Sequence, residues 1–283
     1  MQKHRGQFRL QVMCCAVSVS LSGFYAWCKR LPSRRSMEDL ALREQINRIH
    51  EKNRCVLGAV KTWRVLNDNG IVCGKHRVAR LRKLDGIESK RKAKFRVMHA
   101  HQHTEPAAPN LLKRQFKVTA PNKVWVGDIT TIHTREGWLH LAIVLDLFAR
   151  QVVGWAMDSR QNADLPIAAM NMALGQRKLK TNMICHTDQG SVYGSKEYRS
   201  VLTKKGVRAS MSRRGNCHDN AVAESFFSTL KNELTRHVVY STRAEAMAAI
   251  TDFIALYYNP LRPHQTLGYR SPMQVENKHM MLN

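Results

Sequence analysis

The pattern of apolar and polar residues changes character near residue 117. Before that point, apolar residues recur at three- and four-residue spacing, which predicts short amphipathic helices over residues 38–53, 58–70 and 74–86. An Asn-Gly turn ends the second of them, and lysines and arginines cover much of the third. Two short helices with a strongly basic second member are typical, in outline, of helix-turn-helix DNA-binding regions.

After residue 117, β-branched and apolar runs alternate with turn residues and helical periods. The predicted strands are 122–133, 138–149, 151–157, 182–190 and 207–212, and the predicted helices are 163–176, 195–206, 219–234 and 243–259. Three successive strands followed by strand–helix alternation predict an α/β domain, with a mixed sheet flanked by helices. We therefore expect four parts: a basic helical region (1–90), a basic linker (91–116), the mixed-sheet domain (117–235), and a C-terminal helix and tail (236–283).

The charge of the chain changes this picture by indicating a polyanionic partner. The sequence has 46 Lys+Arg against 21 Asp+Glu, a net charge of +25, within 283 residues. Residues 1–116 carry 25 Lys+Arg against 8 Asp+Glu, a net charge of +17. This surplus favours nucleic acid as the partner. The predicted DNA contacts in this part of the chain are Lys75, Arg77, Arg80, Lys90, Arg91 and Lys92.

The cysteines, the histidines and the first residues of the chain give weaker indications of where the protein is located and what it binds. The seven cysteines are scattered without a C-x-x-C pair, which fits a reducing cytosol better than a disulfide framework. The histidines of "HAHQH" (99–103) suggest a linker rather than a metal site, because no cysteine pair accompanies them. The start of the chain is basic and then apolar, like a signal peptide. Serines interrupt the apolar part and no A-x-A site follows, so we expect a cytosolic helix and no membrane partner.

Three acidic residues lie at positions where the surrounding sequence does not by itself account for a carboxylate. Asp128 lies inside an apolar, β-branched strand, where ionisation is costly without a cation or hydrogen bonds. Asp188 follows a strand directly and precedes a glycine turn. Glu224 lies on a helix about 200° around from Phe226, and therefore opposite the apolar stripe. A convergence of three acids without His or Cys would require a hard divalent ion, Mg²⁺ or Mn²⁺.

The polar face that carries Glu224 holds further candidates. Asn220, Ser228 and Lys231 lie within about 40° of the line through Glu224. A solvated face is the alternative reading for any one of these residues. A competing acid, Asp146 in "IVLDLF", has no polar neighbours in the sequence, and we assign it a structural role.

The spacing of the three acids and the words around them resemble a known family. Asp128, Asp188 and Glu224, with 35 residues between the last two, resemble the D, D(35)E signature of retroviral integrases and insertion-sequence transposases. Lys231 matches the lysine that often follows the Glu by seven residues. The words "WVGDITTI", "HTDQGSVY", "SMSRRGNCHDNAVAESFFSTLKNEL" and "YYNPLRPHQTLGYRSP" closely resemble the second reading frame product of IS3-family transposases.

This resemblance implies an RNase H-like fold, with a five-stranded mixed sheet between helices, and transfer of a freed 3′-hydroxyl to a new phosphodiester. It implies two Mg²⁺ or Mn²⁺ ions, with Asp128 shared and Asp188 and Glu224 each holding one. Lys231, Asn220, Arg213 and Arg214 would contact DNA. The implied partners are the insertion-sequence ends and target DNA, the upstream reading-frame product as a frameshift fusion, and further copies of the chain on DNA.

Two alternative functions fit part of this pattern: one uses the basic region and the other uses the fold. A regulator or inactive remnant would bind DNA without catalysis, but it has no reason to keep all three acids and the lysine. A stand-alone nuclease would not need the basic N-terminal third. The sequence therefore favours an active transposase.

Overall fold

The structure is a computed structural model that describes residues 1–89, 108–179, 181–213 and 220–282. The predicted DNA contacts Lys90, Arg91, Lys92 and Arg214, and the histidines of residues 99–103, lie outside the described residues. Contacts divide the chain into two compact units, Met1–Arg48 and Ile49–Asn283. The four-part boundaries expected from the sequence stay predictions.

The N-terminal unit is helical. Helices α1 (Leu10–Ala16) and α2 (Leu21–Lys29) precede α3 (Arg34–Lys52). Ser20 begins α2, because its side chain accepts a hydrogen bond from the Gly23 amide at 3.0 Å. Within the described residues no single helix is both long and apolar enough to cross a membrane, although the bent pair Leu10–Ala16 and Leu21–Lys52 meets that test of length and composition together.

The predicted helix pair begins the second unit as α4 (Ala59–Asp68) and α5 (Lys75–Leu84). Leu66, Val78 and Leu81 are fully buried. Among the basic residues of α5, Arg82 is buried and donates to the Thr62 hydroxyl (3.1 Å) and the Leu57 carbonyl (2.9 Å). This arginine therefore holds α5 to the start of α4.

The sheet confirms the predicted mixed five-stranded architecture. Its strands are β1 (Val124–Thr134), β2 (Gly137–Asp146), β3 (Gln151–Asp158), β4 (Ile184–Thr187) and β5 (Arg208–Met211), in the order β3-β2-β1-β4-β5. Strand β1 is central, antiparallel to β2 and parallel to β4. In the parallel pair Val126 is opposite His186, which sets the register of the candidate acids.

Helices cover both faces of the sheet. The covering helices are α6 (Asp164–Gln176), α8 (Lys196–Lys204), α9 (Ala221–Leu230) and α10 (Arg243–Asp252). Residues of α6 and α8 share one buried cluster with Trp125 and Val144, whereas residues of α9 and α10 share the other with Val126. A short helix, α7 (Ser191–Gly194), and a C-terminal helix, α11 (Pro272–Leu282), were not predicted from the sequence.

The segment predicted as linker is partly attached to the sheet domain. Leu112 is buried in the cluster that holds α9, and the amide of Leu111 donates to the Ser210 hydroxyl at 2.9 Å. The described residues from 108 onward therefore pack against β5 and the core.

Asp146 has the structural role assigned to it, with one correction. It is fully buried, and its carboxylate accepts from the amides of Asn122 (2.7 Å) and Phe148 (2.9 Å). The expectation that nothing polar surrounds it was wrong, because the charges of Glu276 and Arg177 also reach it. The carboxylate therefore holds the chain just before β1 and just after β2.

Gly154 sets how closely α6 approaches the sheet. A Cβ atom at this position would lie 2.2 Å from the Ala169 carbonyl oxygen and 2.8 Å from the Ala173 amide nitrogen. Both atoms belong to the helix backbone, so they cannot move aside as a flexible side chain can. The glycine is therefore required for the contact between β3 and α6.

We expect Gly154→Ala to lower the free energy of unfolding by about 1–3 kcal/mol or more, because the added methyl group overpacks the helix–sheet contact. Urea denaturation followed by circular dichroism measures the change. Gly175→Ala, at the end of the same helix with open space around its Cβ, is the matched control and should unfold at or slightly above the wild-type midpoint. Equal midpoints for Gly154→Ala and wild type would contradict the close packing.

Candidate active site

Asp128 lies on the central strand and faces the side of the sheet covered by α9. It pairs with Ile143 of β2 and shares its face with the buried Val126. Its carboxylate is half-buried and accepts a hydrogen bond from the amide of Ile129 at 2.8 Å. Burial raises the pKa of Asp128 well above its usual value, and the negative charges of Asp188 and then Glu224 raise it further.

Asp188 lies beside Asp128 because of the register of the sheet. Each aspartate is two residues beyond a member of the Val126–His186 pair, so both belong to the same face. Strand β4 ends at this point because the Asp188 carboxylate accepts from the Gly190 amide at 2.9 Å, forming an Asx turn. A Cβ atom on Gly190 would lie 3.0 Å from that carboxylate oxygen. Adjacent strands are about 4.8 Å apart, which places the two carboxylates near each other.

The helix α9 presents Glu224 as its periodicity predicts. Val222, Phe226 and Leu230 are buried, whereas Glu224 is exposed. Leu234, the next residue at the same four-residue spacing, is only half-buried, because a π-helical turn begins at Lys231 and ends at Thr235. The extra residue in that turn rotates the following side chains away from the α-helical positions.

Lys231 faces the aspartates from the end of α9. Its side chain is half-buried, and burial lowers its pKa, with Arg236 adding to the effect; the negative charge of Asp128 acts in the opposite direction. The positive charge of Lys231 in turn lowers the pKa of Asp128, although it does not offset the burial and the neighbouring acids. The site thus has an excess of negative charge.

The three acids influence one another without forming a closed ligand set. In the described parts of the chain, no three His, Cys, Asp or Glu side chains lie close enough together to hold one ion. Asp128 and Asp188 form the inner pair, and the exposed Glu224 acts on Asp128 through its charge.

The predicted DNA contacts differ in how exposed their side chains are. Lys75 and Arg80 are exposed on α5, and Arg77 is half-buried there. Arg213 is exposed after β5. Asn220 corrects the sequence prediction: it immediately precedes α9 and is buried, with a side-chain oxygen that has no hydrogen-bond partner among the described residues.

An ion pair that the sequence analysis missed supports the turn that carries Lys231. Arg262 donates two hydrogen bonds to Glu233, at 2.9 and 2.7 Å, and both side chains are largely buried. The partners are 29 positions apart in the sequence, so no local pattern relates them. The pair connects the π-helical turn to the segment after α10.

Three features of this domain define an enzyme of the integrase core class. They are the aspartate on the central strand, the aspartate on the adjacent parallel strand, and the acid-bearing helix on the same face of the sheet. A helix-turn-helix-like pair precedes the domain. Models described as "Integrase core domain" match residues 118–217 and 205–272, and one described as "HTH-like domain" matches residues 37–95.

Curated relatives cover nearly the whole chain. The chain is 36% identical to the transposase InsF of insertion sequence IS3A from Escherichia coli K12, over 99% of this chain and 98% of the relative. It is 41% identical to the insertion element IS600 31 kDa protein of Shigella sonnei, over 94% of this chain and 98% of the relative. The chain therefore belongs to the IS3 family of transposases, which are DDE polynucleotidyl transferases acting in DNA transposition.

A solved structure is a more distant match. The simian T-cell lymphotropic virus intasome, in complex with the PP2A regulatory subunit B56 gamma, is 17% identical, with a TM-score of 0.47 over 82% of this chain and 74% of that chain. No conclusion about activity follows from a likeness this distant.

We expect Arg262→Met to lower the free energy of unfolding by about 3–5 kcal/mol, because it leaves the Glu233 carboxylate buried without its cation. Thermal and urea unfolding measure the loss. Adding Glu233→Gln should recover a large part of it by removing the stranded charge, in a double-mutant cycle.

The matched control is Arg34→Met, which breaks the Arg34–Glu38 pair, whose arginine side chain is 93% exposed. We expect no measurable change in unfolding from that variant. An equally small effect of Arg262→Met would mean that the Glu233–Arg262 pair does not support the turn.

Proposed function

We propose that Asp128, Asp188 and Glu224 are the catalytic acids of this transposase and that they hold divalent ions during DNA strand cleavage and strand transfer. The observation that carries the proposal is the position of Asp128. It is a half-buried carboxylate on the central strand; burial raises its pKa, and the charges of Asp188 and then Glu224 raise it further.

The donor set fits Mg²⁺ or Mn²⁺. All three candidate ligands are carboxylates, which hard ions prefer. The inner pair carries like charges that Lys231 does not fully offset, so a divalent cation would be favoured there. Asp128 would be shared between two ions, and Asp188 and Glu224 would each hold one. Glu224 completes the set when its exposed side chain turns toward the aspartates.

Bound ions would supply charge stabilisation and activate a hydroxyl for in-line attack on phosphorus. The protein residues orient the reaction. The Asx turn at Gly190 fixes the carboxylate of Asp188, and the amide of Ile129 holds one oxygen of Asp128. Lys231 provides a point charge for a phosphate beside the acids. Water would be the first nucleophile: it would attack a phosphodiester at the element end, and the P–O3′ bond would break to release a 3′-hydroxyl. That hydroxyl would then attack a target phosphodiester, whose own P–O3′ bond would break to release the 3′-hydroxyl of the target strand.

DNA binding would use the basic surface of α5 and the chain near β5. Lys75, Arg77 and Arg80 would contact the phosphate backbone from α5, and Arg213 would do so near the acids. We leave Asn220 out of the direct contacts, because it is buried. Such contacts would bind DNA with low sequence specificity and strong salt dependence.

The remaining partners are also part of the proposal. The substrates would be insertion-sequence ends and target DNA in the bacterial cytosol. The upstream reading-frame product, joined as a frameshift fusion, would add end recognition, and several copies would assemble on DNA. An inactive regulator is a weaker candidate, because the helix face and sheet register both keep the acids on one side of the sheet.

We expect Glu224→Gln to lower the rate of strand transfer on element-end oligonucleotides by at least about a hundredfold, because metal charge stabilisation is worth several kcal/mol and about 1.4 kcal/mol is a factor of ten. Gel analysis of labelled products with Mg²⁺ or Mn²⁺ measures the rate, and EDTA should abolish it. Glu197→Gln, an exposed acid on α8, is the matched control. Equal amounts of strand-transfer product from Glu224→Gln and wild type would show that Glu224 is not one of the catalytic acids.

We expect the double variant Lys75→Ala/Arg80→Ala to reduce the slope of log affinity against log salt by about 1.8, because each lost phosphate contact contributes about 0.9. Fluorescence anisotropy with a duplex at several salt concentrations measures the slope. Lys196→Ala/Lys204→Ala removes the same charge from exposed positions of α8 and should leave the slope near its wild-type value. An unchanged slope in the α5 variant would exclude this helix from the DNA interface.

A further inference from the structure

The ring of Tyr193 packs on the face of the sheet opposite to the three acids. Tyr193 belongs to α7, is 3% exposed, and shares the buried cluster that contains residues of α6 and α8. A Cβ atom on Gly127 would lie 3.6 Å from the Cε1 atom of the ring, and a Cβ atom on Gly190 would lie 3.6 Å from its Cδ2 atom. The ring therefore lies between the strand that carries Asp128 and the turn that follows Asp188.

The glycine before Asp128 permits this close approach. Gly127 lies two residues beyond the buried Trp125, so it belongs to the face that α6 and α8 cover. A Cβ atom on Gly127 would also lie 3.2 Å from the methyl group of Thr187, the residue before the second aspartate. A side chain at this position would push against both Thr187 and Tyr193. Its absence lets both residues pack directly on β1.

The turn that fixes Asp188 also fixes Tyr193. The amide of Tyr193 donates to the carbonyl of Gly190 at 3.0 Å, and the amide of Gly190 donates to the Asp188 carboxylate at 2.9 Å. The ring of Tyr198, on α8, meets the Tyr193 ring edge to face, with ring centres 5.2 Å apart. The position of the Tyr193 ring is therefore coupled to the position of the Asp188 carboxylate.

The hydroxyl of Tyr193 does not explain why a tyrosine is held here. It is buried and has no hydrogen-bond partner among the described residues, which costs about 1–3 kcal/mol. Burial raises the pKa of Tyr193 well above its usual value, and Tyr198 and then the charges of Asp128 and Asp188 raise it further. The hydroxyl is thus close enough to both acids to be affected by their charges, yet it bonds to neither. What Tyr193 contributes to the site is the rigid ring.

We infer that Tyr193 is a positioning residue, which sets the separation of the Asp128 and Asp188 carboxylates and thereby their affinity for Mg²⁺. The inference rests on the proposed function, because this separation matters to a cation only if both acids hold one. Residues that support metal ligands without touching the metal contribute about 10–100-fold in affinity. Mg²⁺ requires near-ideal octahedral geometry, whereas Ca²⁺ accepts a flexible one. Loosening the two aspartates should therefore weaken Mg²⁺ binding more than Ca²⁺ binding.

The test measures ion binding by the full chain without DNA, so it does not depend on strand transfer. Electron paramagnetic resonance of Mn²⁺ measures the free ion, and competition with Mn²⁺ gives the affinities for Mg²⁺ and Ca²⁺. We expect Tyr193→Leu to weaken Mg²⁺ binding by at least about tenfold and Ca²⁺ binding by less. Tyr193→Phe keeps the ring and should bind both ions as wild type does.

Tyr198→Leu is the matched control, because it removes a tyrosine ring from the same buried cluster, together with the contact between its hydroxyl and the Cys185 thiol at 3.6 Å. It should lower the unfolding midpoint but leave the ratio of Mg²⁺ to Ca²⁺ affinity at the wild-type value. If Tyr193→Leu fails to fold, Tyr193→Met replaces it, because a methionine fills space without a rigid ring. We expect the same selective loss of Mg²⁺ affinity from that variant.

Three results would overturn the inference: a wild-type affinity ratio in the folded Tyr193→Leu or Tyr193→Met, an equal loss in Tyr198→Leu, or an equal loss in Tyr193→Phe. Asp128→Asn distinguishes these failures from failure of the proposed function. If Asp128→Asn binds the ions as tightly as wild type, the acids do not hold them and both conclusions fail. If Asp128→Asn loses the ions while Tyr193→Leu keeps the wild-type ratio, only the role of Tyr193 fails.

Discussion

The repulsion between Asp128 and Asp188 is the constraint around which the core of this protein is arranged. The parallel register of β1 and β4 places both on the same face, two residues beyond Val126 and His186. Separating them would require a change of register, which would turn every buried side chain of one strand to the other face. The protein keeps the register, and the negative charge of Asp188 adds to the larger effect of burial in raising the pKa of Asp128.

The surrounding elements hold that arrangement from one side of the sheet. Phe226 of α9 contacts Tyr258 with ring centres 4.8 Å apart, and Tyr258 contacts His264 at 4.9 Å. Arg262 then reaches back to Glu233 in the π-helical turn. The segment after α10 therefore supports both the middle and the end of the helix that carries Glu224 and precedes Lys231.

The same segment connects the core with the chain that leads into the helix-turn-helix-like pair. The guanidinium of Arg54 lies over the rings of Phe253 and Tyr257, at 5.5 and 5.3 Å. The Tyr257 hydroxyl donates to the Asn53 carbonyl at 3.4 Å, and Val56 packs against the cluster that contains α9. The entry to α4 is thus fixed on the catalytic core by packing.

The sequence predicted those parts of the molecule that have a local signal. Strands and helices followed from periodicity, and the exposed position of Glu224 followed from its angle to Phe226. Asn220 was misplaced because the α-helical projection does not hold at the residue before the helix begins. Arg82 and the Glu233–Arg262 pair were missed because their partners are distant in sequence, and α11 because it has no regular apolar stripe.

The charge distribution gives a physical reason for joining a strongly basic region to an acidic centre. Without cations, the acids repel the phosphates on which they would act, and the surplus of +17 in residues 1–116 has to hold DNA against that repulsion. Under the proposed function, divalent ions reverse the sign of the interaction at the acids. Metal binding and DNA binding then strengthen each other by linkage, since each reduces the electrostatic cost of the other. On that proposal, the basic region would contribute to catalysis by keeping the phosphate near a centre that attracts it only once the ions are bound.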